Sequence, residues 1–491
     1  MKSILAASFA CVLCLASTQR LFAHAGDFDP WFGAAGVVIL GSLYPASPFD
    51  HGNKVAVQPD GKIMIVGRAG GDASGIWRSA FAVIRLNPDG TLDQSFGPDG
   101  GGYFIFPWSQ GPAEAHAIVF APDGDIVVGG NVANLAGVVW LTPAGTFDIT
   151  KGDNGLMTFA INNDTAHTTT LNAMTIENWG SNGYQLDFAG SFDGIGYPQM
   201  ALGSYSPTEP IGDRNPFLAA VVPAGTNGNG VATALLDDGD AGVIVGGYVQ
   251  NSAGQTQCVV ARYSSDICYS NDGGNTWVCG WFPDDTSYGN SGGAFVDQIY
   301  SNEFGSAAPC YIDALASTGL GNYVIAGGRE FFPGATRAMY FELDNSGGLL
   351  PYYNVFELSR WGDNSIREVL PEDNGKWAFA GFSGIDFSGV PDPVVARVDF
   401  IDGTLDGSFG YGGLSVLDFD PDTNAYGQTL GAALDAHGCI VQVGTYWNGG
   451  SDGNGNDFTQ MFVARLQPDS SDTVDTIFMN GFDPPVPLCG P

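Results

Sequence analysis

The sequence is poor in basic residues. It holds 17 Lys and Arg against 52 Asp and Glu, so its formal net charge is −35 at pH 7. Such a charge repels phosphate groups, and this excludes nucleic acid and anionic membrane surfaces as partners. The chain also lacks an apolar run of the about 20 residues that a membrane-spanning helix requires. We therefore predict a protein that binds no nucleic acid and does not insert into a membrane.

Catalytic motifs are equally scarce. Four of the five histidines, His51, His116, His167 and His437, show no paired spacing, and His24 falls in the leader described below. No Gly-x-Ser-x-Gly motif precedes a helix, and the sequence contains no phosphate loop and no dinucleotide fingerprint. It therefore identifies no catalytic residue and no cofactor-binding residue.

The first 25 residues are typical of an export signal. Lys2 supplies the positive start, and Ile4–Ser17 forms a short apolar core. Ala23-His24-Ala25 then carries small residues where signal peptidase cuts. We predict cleavage after Ala25 and a mature protein that is periplasmic or secreted.

Removal of this leader leaves an even number of cysteines, which favours disulfides in an exported protein. They are Cys258, Cys268, Cys279, Cys310, Cys439 and Cys489. Cys268 and Cys279 lie close together, and their spacing differs from the close Cys/His pairs of a zinc site. We predict a Cys268–Cys279 disulfide and leave the other pairings open.

The chain is organised as a repeat of about 60 residues. Each unit has an apolar run, a tight turn, a second apolar run and then one or two glycines, as in Val55–Gly67 and Ala117–Gly129. A longer interval in the middle of the chain indicates an insertion at about 266–311. Looser copies of the unit end at Gly190, Gly246, Gly327, Gly381 and Gly444.

Each unit predicts four short strands. Pro59-Asp60-Gly61 is a hairpin turn, because proline presets φ and glycine accepts a positive φ. The following run, Ile63–Val66, is apolar without alternation, and such strands are buried on both faces. A third strand, such as Phe81–Leu86, and a fourth strand come next. Seven such units predict an all-β fold, a β-propeller of seven four-stranded blades. A β-solenoid is the alternative, although its coils usually repeat at about 20–30 residues.

Closure of the ring is predicted from the two ends of the chain. Gly26–Gly33 has the pattern of a unit's ending, and Val37–Leu40 has that of a fourth strand. The last unit supplies its third strand and then largely stops. We predict that the N-terminal strand completes the last blade, which removes an exposed sheet edge. The propeller is assigned to residues 26–472, between the signal peptide, 1–25, and a C-terminal tail, 473–491.

Three stretches resemble the delta-60 repeat of bacterial secreted proteins, namely Gln58–Gly61, Arg85–Gly90 and Leu92–Gly97. This resemblance implies a propeller and export, and it implies no reaction. Within the insertion, Ser270–Trp277 is similar to the Asp-box of sialidases and related propellers. That second resemblance implies a β-hairpin remote from an active site.

Arginines recur at equivalent positions of the third strands, as Arg85, Arg262, Arg397 and Arg465. Repetition at equivalent positions favours a structural role, such as a charge-assisted hydrogen bond to a neighbouring strand. The alternative is that these side chains line the central channel and bind an anion.

Two acidic loops present alternating oxygen donors, the ligand type that calcium prefers. Neither loop has EF-hand spacing, and the alternative is a pair of solvated turns rich in Asp and Asn. Structural calcium is therefore the one cofactor that the sequence suggests. Its candidate ligands are Asp418, Asp420, Asp422 and Asn424 in one loop and Asp452, Asn454 and Asn456 in the other.

Tryptophans in or beside variable loops are the remaining candidates for ligand contact. We select Trp108, Trp281 and Trp447, because exposed aromatic faces stack on sugars and anchor protein partners. Loops that vary in length on a constant scaffold favour a monomeric, non-enzymatic binding protein for a glycan or a protein ligand. A glycan-degrading enzyme with two carboxylates at the channel mouth is one alternative. A surface-structural protein without a specific ligand is the other.

Overall fold

The computed structural model describes residues 24–41, 43, 49–71, 79–178, 180, 183–194, 196–207, 217–221, 226–239, 242–270, 277–283, 293–295, 309–319, 321–332, 335–356, 364–372, 375–384, 391–399, 403–419, 425–451, 457–469 and 489. Almost all regular structure in these ranges is β-strand, with one 3₁₀ turn at Ile161–Asn163. No helix in the described ranges is long and apolar enough to cross a membrane.

The strands are named in chain order. They are β1 (Val37–Leu40), β2 (His51–Val57), β3 (Ile63–Ala69), β4 (Ala80–Leu86), β5 (Tyr103–Phe106), β6 (Ala113–Phe120), β7 (Ile126–Val132), β8 (Leu135–Leu141), β9 (Leu156–Phe159), β10 (Thr169–Asn178), β11 (Tyr184–Phe192), β12 (Gln199–Tyr205), β13 (Phe217–Val221), β14 (Thr226–Asp237), β15 (Gly242–Asn251), β16 (Thr256–Ser270), β17 (Trp277–Pro283), β18 (Gly293–Phe295), β19 (Cys310–Ser317), β20 (Tyr323–Phe332), β21 (Ala335–Leu343), β22 (Leu349–Phe356), β23 (Asn364–Pro371), β24 (Lys376–Ser383), β25 (Asp392–Asp399), β26 (Leu414–Val416), β27 (Tyr426–Leu434), β28 (Ile440–Ser451) and β29 (Asp457–Leu466).

These strands form seven small antiparallel sheets, the blades of a β-propeller. Blades 1 to 6 are β2–β5, β6–β9, β10–β13, β14–β18, β19–β22 and β23–β26, and blade 7 is β27–β29 with β1. The first strand of every blade contacts the first strand of the next, and the series closes when β27 meets β2. First strands therefore surround a central channel, and the predicted all-β seven-bladed fold is confirmed.

The ring closes as predicted. β1 is the outermost strand of blade 7 and pairs with β29, where Val37 lies opposite Ala464 and Leu40 lies opposite Met461. A backbone hydrogen bond of 2.9 Å from Gly26 to Gln467 extends this contact toward the N-terminus. Blade 7 is thereby built from both ends of the chain.

The second and third strands are buried because each blade packs both faces on its neighbours. In blade 1, Ile65 of β3 and Val83 of β4 are fully buried. Ile65 belongs to a cluster shared with blade 7, and Val83 belongs to a cluster shared with blade 2. This arrangement explains the continuous apolar runs in the sequence.

Blade 4 differs from the four-strand prediction. Beside β14–β17 it has a fifth strand, β18, in which Phe295 pairs with Val259 of β16. The extra strand comes from the segment that the sequence identifies as an insertion. Strands β16 and β17 pair with Ser270 opposite Trp277, which is the predicted hairpin pairing. Residues 271–276 of the Asp-box-like segment lie outside the described residues, and the assignment to that motif stays a prediction.

Candidate functional site in the central channel

Each innermost strand contains a bulge at which one residue has no partner on the second strand. Such a bulge redirects a side chain out of the regular sheet. Two of the bulge residues donate amide hydrogen bonds to the next blade, Asn53 to the carbonyl of Ala115 at 2.9 Å and Asn172 to that of Ala232 at 2.9 Å. Bulge residues thus link the innermost strands around the channel. They are Asn53, His116, Asn172, Thr233, Asp313, Arg367 and Leu430.

The glycines that end the sequence repeat are explained by these bulges. Gly67 pairs with Gly52, the residue before the bulge, and a Cβ at Gly67 would lie 1.9 Å from the carbonyl oxygen of His51. In blade 6, a Cβ at Gly381 would lie 2.0 Å from the carbonyl oxygen of Ser365. Any side chain at these positions would collide with the inner strand. The same close approach occurs at Gly130, Gly190, Gly247, Gly327 and Gly444.

A charged cluster lies on the inner strands of blades 1 and 2. Arg68 Nη2 is 2.8 Å from His51 Nε2, and Arg68 Nη1 is 3.5 Å from Glu114 Oε2. The amide of Asn53 donates to Glu114 Oε1 at 2.8 Å. Because a guanidinium only donates, His51 Nε2 accepts and its ring proton sits on Nδ1, which is 3.7 Å from Glu114 Oε1. The His51, Arg68 and Glu114 side chains are 29%, 25% and 24% exposed, so a solute can reach them.

The ionisation states in this cluster are set by its geometry. Burial opposes ionisation of Glu114, but the nearby imidazole of His51 and the charge of Arg68 outweigh burial and hold the pKa of Glu114 well below its usual range. Burial lowers the pKa of His116, and the Glu114 charge offsets this only in part. The site therefore combines the ionised carboxylate of Glu114, the guanidinium of Arg68 and the imidazole of His116, which is neutral at pH 7.

Two further ion pairs involve residues of the innermost strands. Lys54 of blade 1 pairs with Glu368 of blade 6, in front of blade 7. Arg367 Nη1 lies 3.0 Å from Asp313 Oδ2, between blades 6 and 5. Each basic group is matched by a carboxylate, so the pairs leave little net charge. The Nε atoms of Arg68 and Arg367 nevertheless make no hydrogen bond within the described part of the chain.

The recurring arginines of the third strands are structural. Arg85, Arg397 and Arg465 each pack the guanidinium on a phenylalanine and pair with an aspartate from the unit's ending. Arg85 also donates to the carbonyl of Pro143 in blade 2 at 2.6 Å, so it links two blades. The structural interpretation is confirmed for three of the four, and Arg262 pairs with Asp238 at 2.6 Å. The three sets are Arg85, Asp93 and Phe96, then Arg397, Asp406 and Phe409, and finally Arg465, Asp29 and Phe32.

Blade 2 departs from this pattern. In blades 1 and 6 a lysine after the hairpin turn reinforces the aspartate, with Lys62 3.1 Å from Asp93 and Lys376 2.9 Å from Asp406. Blade 2 has an aspartate, Asp125, at the position of that lysine. Two carboxyl groups therefore face each other where the other blades hold an ion pair.

The blade 2 carboxyl pair shares a proton near neutral pH. Burial raises the pKa of Asp125 to about 7, and a hydrogen bond to Asp148 and the charge of Asp123 add to this increase, while Lys151 opposes it. Burial also opposes ionisation of Asp148, but hydrogen bonds from Thr150 and Asp125 lower its pKa. Asp125 is therefore the proton donor and Asp148 the acceptor.

The calcium candidates are mostly beyond what the structure describes. Asp418 is exposed, and the other six, Asp420, Asp422, Asn424, Asp452, Asn454 and Asn456, lie outside the described residues. Within the described ranges, no group of three His, Cys, Asp or Glu side chains is placed to hold a metal ion. Structural calcium stays a prediction.

The three selected tryptophans have different surroundings. Trp108 is 4% exposed, so the expectation of an exposed ring is wrong, because the ring packs edge-on against Phe81 and Phe106 at 5.4 and 5.2 Å. Trp447 is half-buried and packs against Tyr426 with ring centroids 4.6 Å apart. Trp281 lies in β17, and its side chain is outside the described part.

Two disulfides lie among the described residues, Cys258–Cys310 between blades 4 and 5 and Cys439–Cys489 between blade 7 and the C-terminal tail. Their pairings were left open by the sequence. Cys268 lies opposite Cys279 in the backbone register of β16 and β17, and the predicted bond between them stays a prediction because their side chains are not described. Disulfides persist in oxidising compartments, which agrees with an extracytoplasmic protein.

Comparison with known proteins supports the fold. Residues 58–96 match a family described as "Domain of unknown function (DUF5122) beta-propeller". The curated proteins contain no match to this chain. The matched segment includes the first hairpin turn, Arg85 and the ending with Asp93 and Phe96.

Solved structures also match this chain, at low identity. They include a catalytically inactive virginiamycin B lyase from Staphylococcus aureus with quinupristin, at 9% identity and TM-score 0.38 over 87% of this chain and 98% of that one. An α-L-arabinanase from Penicillium chrysogenum with arabinobiose has 11% identity and TM-score 0.39 over 71% and 91% of the two chains. The β-propeller domain of the Trilobed protease from Pyrococcus furiosus has 9% identity and TM-score 0.36 over 82% and 97%. The chain is a seven-bladed β-propeller with a segment similar to the DUF5122 domain.

Proposed function

We propose that the chain is an exported binding protein that holds a small hydroxyl-bearing ligand, such as a sugar unit of a glycan, in the channel beside blades 1 and 2. The observation that carries this proposal is the partly exposed cluster of His51, Arg68 and Glu114, fixed by Asn53. Ligand sites commonly combine a concave surface with a few convergent polar groups.

The charge balance of the cluster selects the ligand class. Its cations are already matched by carboxylates, so they offer a strong anion little unpaired charge. Hydroxyl groups both donate and accept, and they complement the partly exposed guanidinium of Arg68, the carboxylate of Glu114 and the neutral ring of His116. The net charge of −35 also disfavours polyanions. A neutral sugar therefore fits this site better than an acidic one.

Replacing Glu114 by glutamine is expected to weaken sugar binding about tenfold or more, because hydrogen bonds to a charged group contribute roughly 1.5–3 kcal/mol. Calorimetric titration with neutral monosaccharides and disaccharides measures this effect. The control is His437→Gln, which changes an exposed turn residue of blade 7. Equal affinities for Glu114→Gln and the unchanged protein would contradict the proposal.

An enzymatic role is the second candidate, and one observation favours it. His116 is neutral beside an ionised Glu114, which suits it to accept a proton from a bound substrate. We expect that any turnover of a bound sugar disappears in His116→Asn while the thermal midpoint stays unchanged. Because the pKa of His116 is lowered, the rate should persist to a pH below the ordinary histidine value of about 6.5. A sugar that binds without being converted to product would contradict the enzymatic role and favour the non-enzymatic binding function.

A further inference from the structure

A groove of about 780 Å³ lies at the outer rim of the propeller, away from the channel cluster. Phe106 and Trp108 of blade 1 form one wall, Ile149, Asn154 and Met157 of blade 2 form the other, and Tyr205 of blade 3 closes one end. This volume falls within the range of small-molecule sites. The groove belongs to outer strands and their loops, and it is independent of the proposed channel site.

The walls of the groove are preformed. Phe106 packs edge-on against Trp108 and Phe147, with ring centroids 5.2 and 5.1 Å apart. On the opposite wall, Asp148 accepts hydrogen bonds from the backbone N–H and the hydroxyl of Thr150 at 2.9 and 2.7 Å. Little ordering is therefore required when a ligand binds.

The lining combines apolar faces with uncharged polar groups. Ile149 is 71% exposed, although it is a large apolar side chain, and Asn154 and Thr158 place an amide and a hydroxyl on the same wall. Among the described residues of the lining, Asp153 is the one ionisable side chain apart from the Tyr205 phenol, and none is basic.

We infer that this groove binds a neutral oligosaccharide. Sugar rings have apolar C–H faces and hydroxyl edges, which match the alternation of Phe106 and Ile149 with the amide and hydroxyl groups. The single carboxylate of Asp153 and the overall charge of −35 disfavour an anionic chain. The amide of Asn154 and the hydroxyl of Thr158 supply donors to sugar hydroxyls.

The test uses purified full-length chain with neutral oligosaccharides of glucose, xylose or mannose and with oligogalacturonate as the anionic counterpart. The double variant Asn154→Gly, Thr158→Val removes one amide and one hydroxyl from the groove, and the backbone φ of 55° at Asn154 suits glycine. We expect it to bind the neutral oligosaccharide about tenfold more weakly, since two net hydrogen bonds are lost. His437→Gln is the control, and Ile149→Ser is a second variant that removes an exposed apolar side chain from the groove.

Three results would overturn the inference. One is that no neutral oligosaccharide binds at millimolar concentration, and another is that oligogalacturonate binds better. The third is that affinity survives in both groove variants. A loss of affinity in Glu114→Gln with none in the groove variants would place the oligosaccharide in the channel instead. Thermal midpoints of all variants separate weakened binding from unfolding.

Discussion

Replacing Arg397 by methionine is expected to lower the free energy of unfolding by about 3–5 kcal/mol, the cost of removing one partner from a buried ion pair. Arg397 is fully buried. Its guanidinium lies 2.7 Å from Asp406, 2.6 Å from Asp469 and 3.4 Å from Glu372. Asp469 follows β29 of blade 7. Loss of the Arg397 side chain therefore also weakens the contact between blades 6 and 7.

Urea denaturation of Arg397→Met measures this loss. Arg367→Met is the matched control, because Arg367 is 34% exposed and its partner Asp313 is 14% exposed. The free energy of unfolding of this control variant should fall by about 1 kcal/mol, as expected for a partly exposed ion pair. Lys376 remains 2.9 Å from Asp406 in the Arg397 variant and compensates only in part. Equal losses in the two variants would show that the buried network adds nothing beyond a surface pair.

The second large effect is a loss of stability with rising pH that Asp125→Asn removes. The pKa of Asp125 is about 7 in the folded protein, whereas the unfolded chain has the ordinary aspartate value of 3.8. Between these values the folded state binds the proton more tightly, so stability falls as pH rises and levels off above pH 7. At about 1.4 kcal/mol for each pKa unit, and allowing for partial access of water, the loss should be about 2–4 kcal/mol.

Thermal and urea unfolding at about pH 5 and about pH 8 measure this dependence, because these values lie on either side of the folded pKa. The difference between the unchanged protein and Asp125→Asn isolates this group from other titrating residues. Asp60→Asn is the control, since Asp60 is the exposed aspartate of the corresponding turn in blade 1. A variant whose stability declines with pH as steeply as that of the unchanged protein would show that Asp125 keeps an ordinary pKa.

The fold could be predicted because every blade repeats the same physical requirements. The apolar runs correspond to strands that are buried on both faces. The hairpin turns mark the positions where the chain reverses direction between these strands. Gly26–Gly33 and Val37–Leu40 have the pattern of a blade's last part, which was sufficient to predict closure. The fifth strand of blade 4 could not be predicted, because β18 is short and has no counterpart in the other units.

The channel site could not be predicted for the opposite reason, because its residues differ between blades. His51 and Glu114 are far apart in sequence and meet only when neighbouring inner strands are placed side by side. A signal was nevertheless present. Gly67 and Gly381 lie opposite the bulges at Asn53 and Arg367, so the repeat glycines mark the polar channel residues about 14 positions earlier.

The pairing of β1 with β29 also dictates an order of assembly. Arg465 and its partner Asp29 are 436 residues apart, so the strand that is synthesised first has no partner until the last blade exists. Contacts of such separation are formed slowly, because a long loop must be closed before they stabilise anything. Blades 1 to 6 can form in succession while the edge of β1 is still unpaired. During this period the unpaired edge can associate with other chains. The same pairing that seals the finished ring is therefore the step at which the growing chain is most exposed to misassembly.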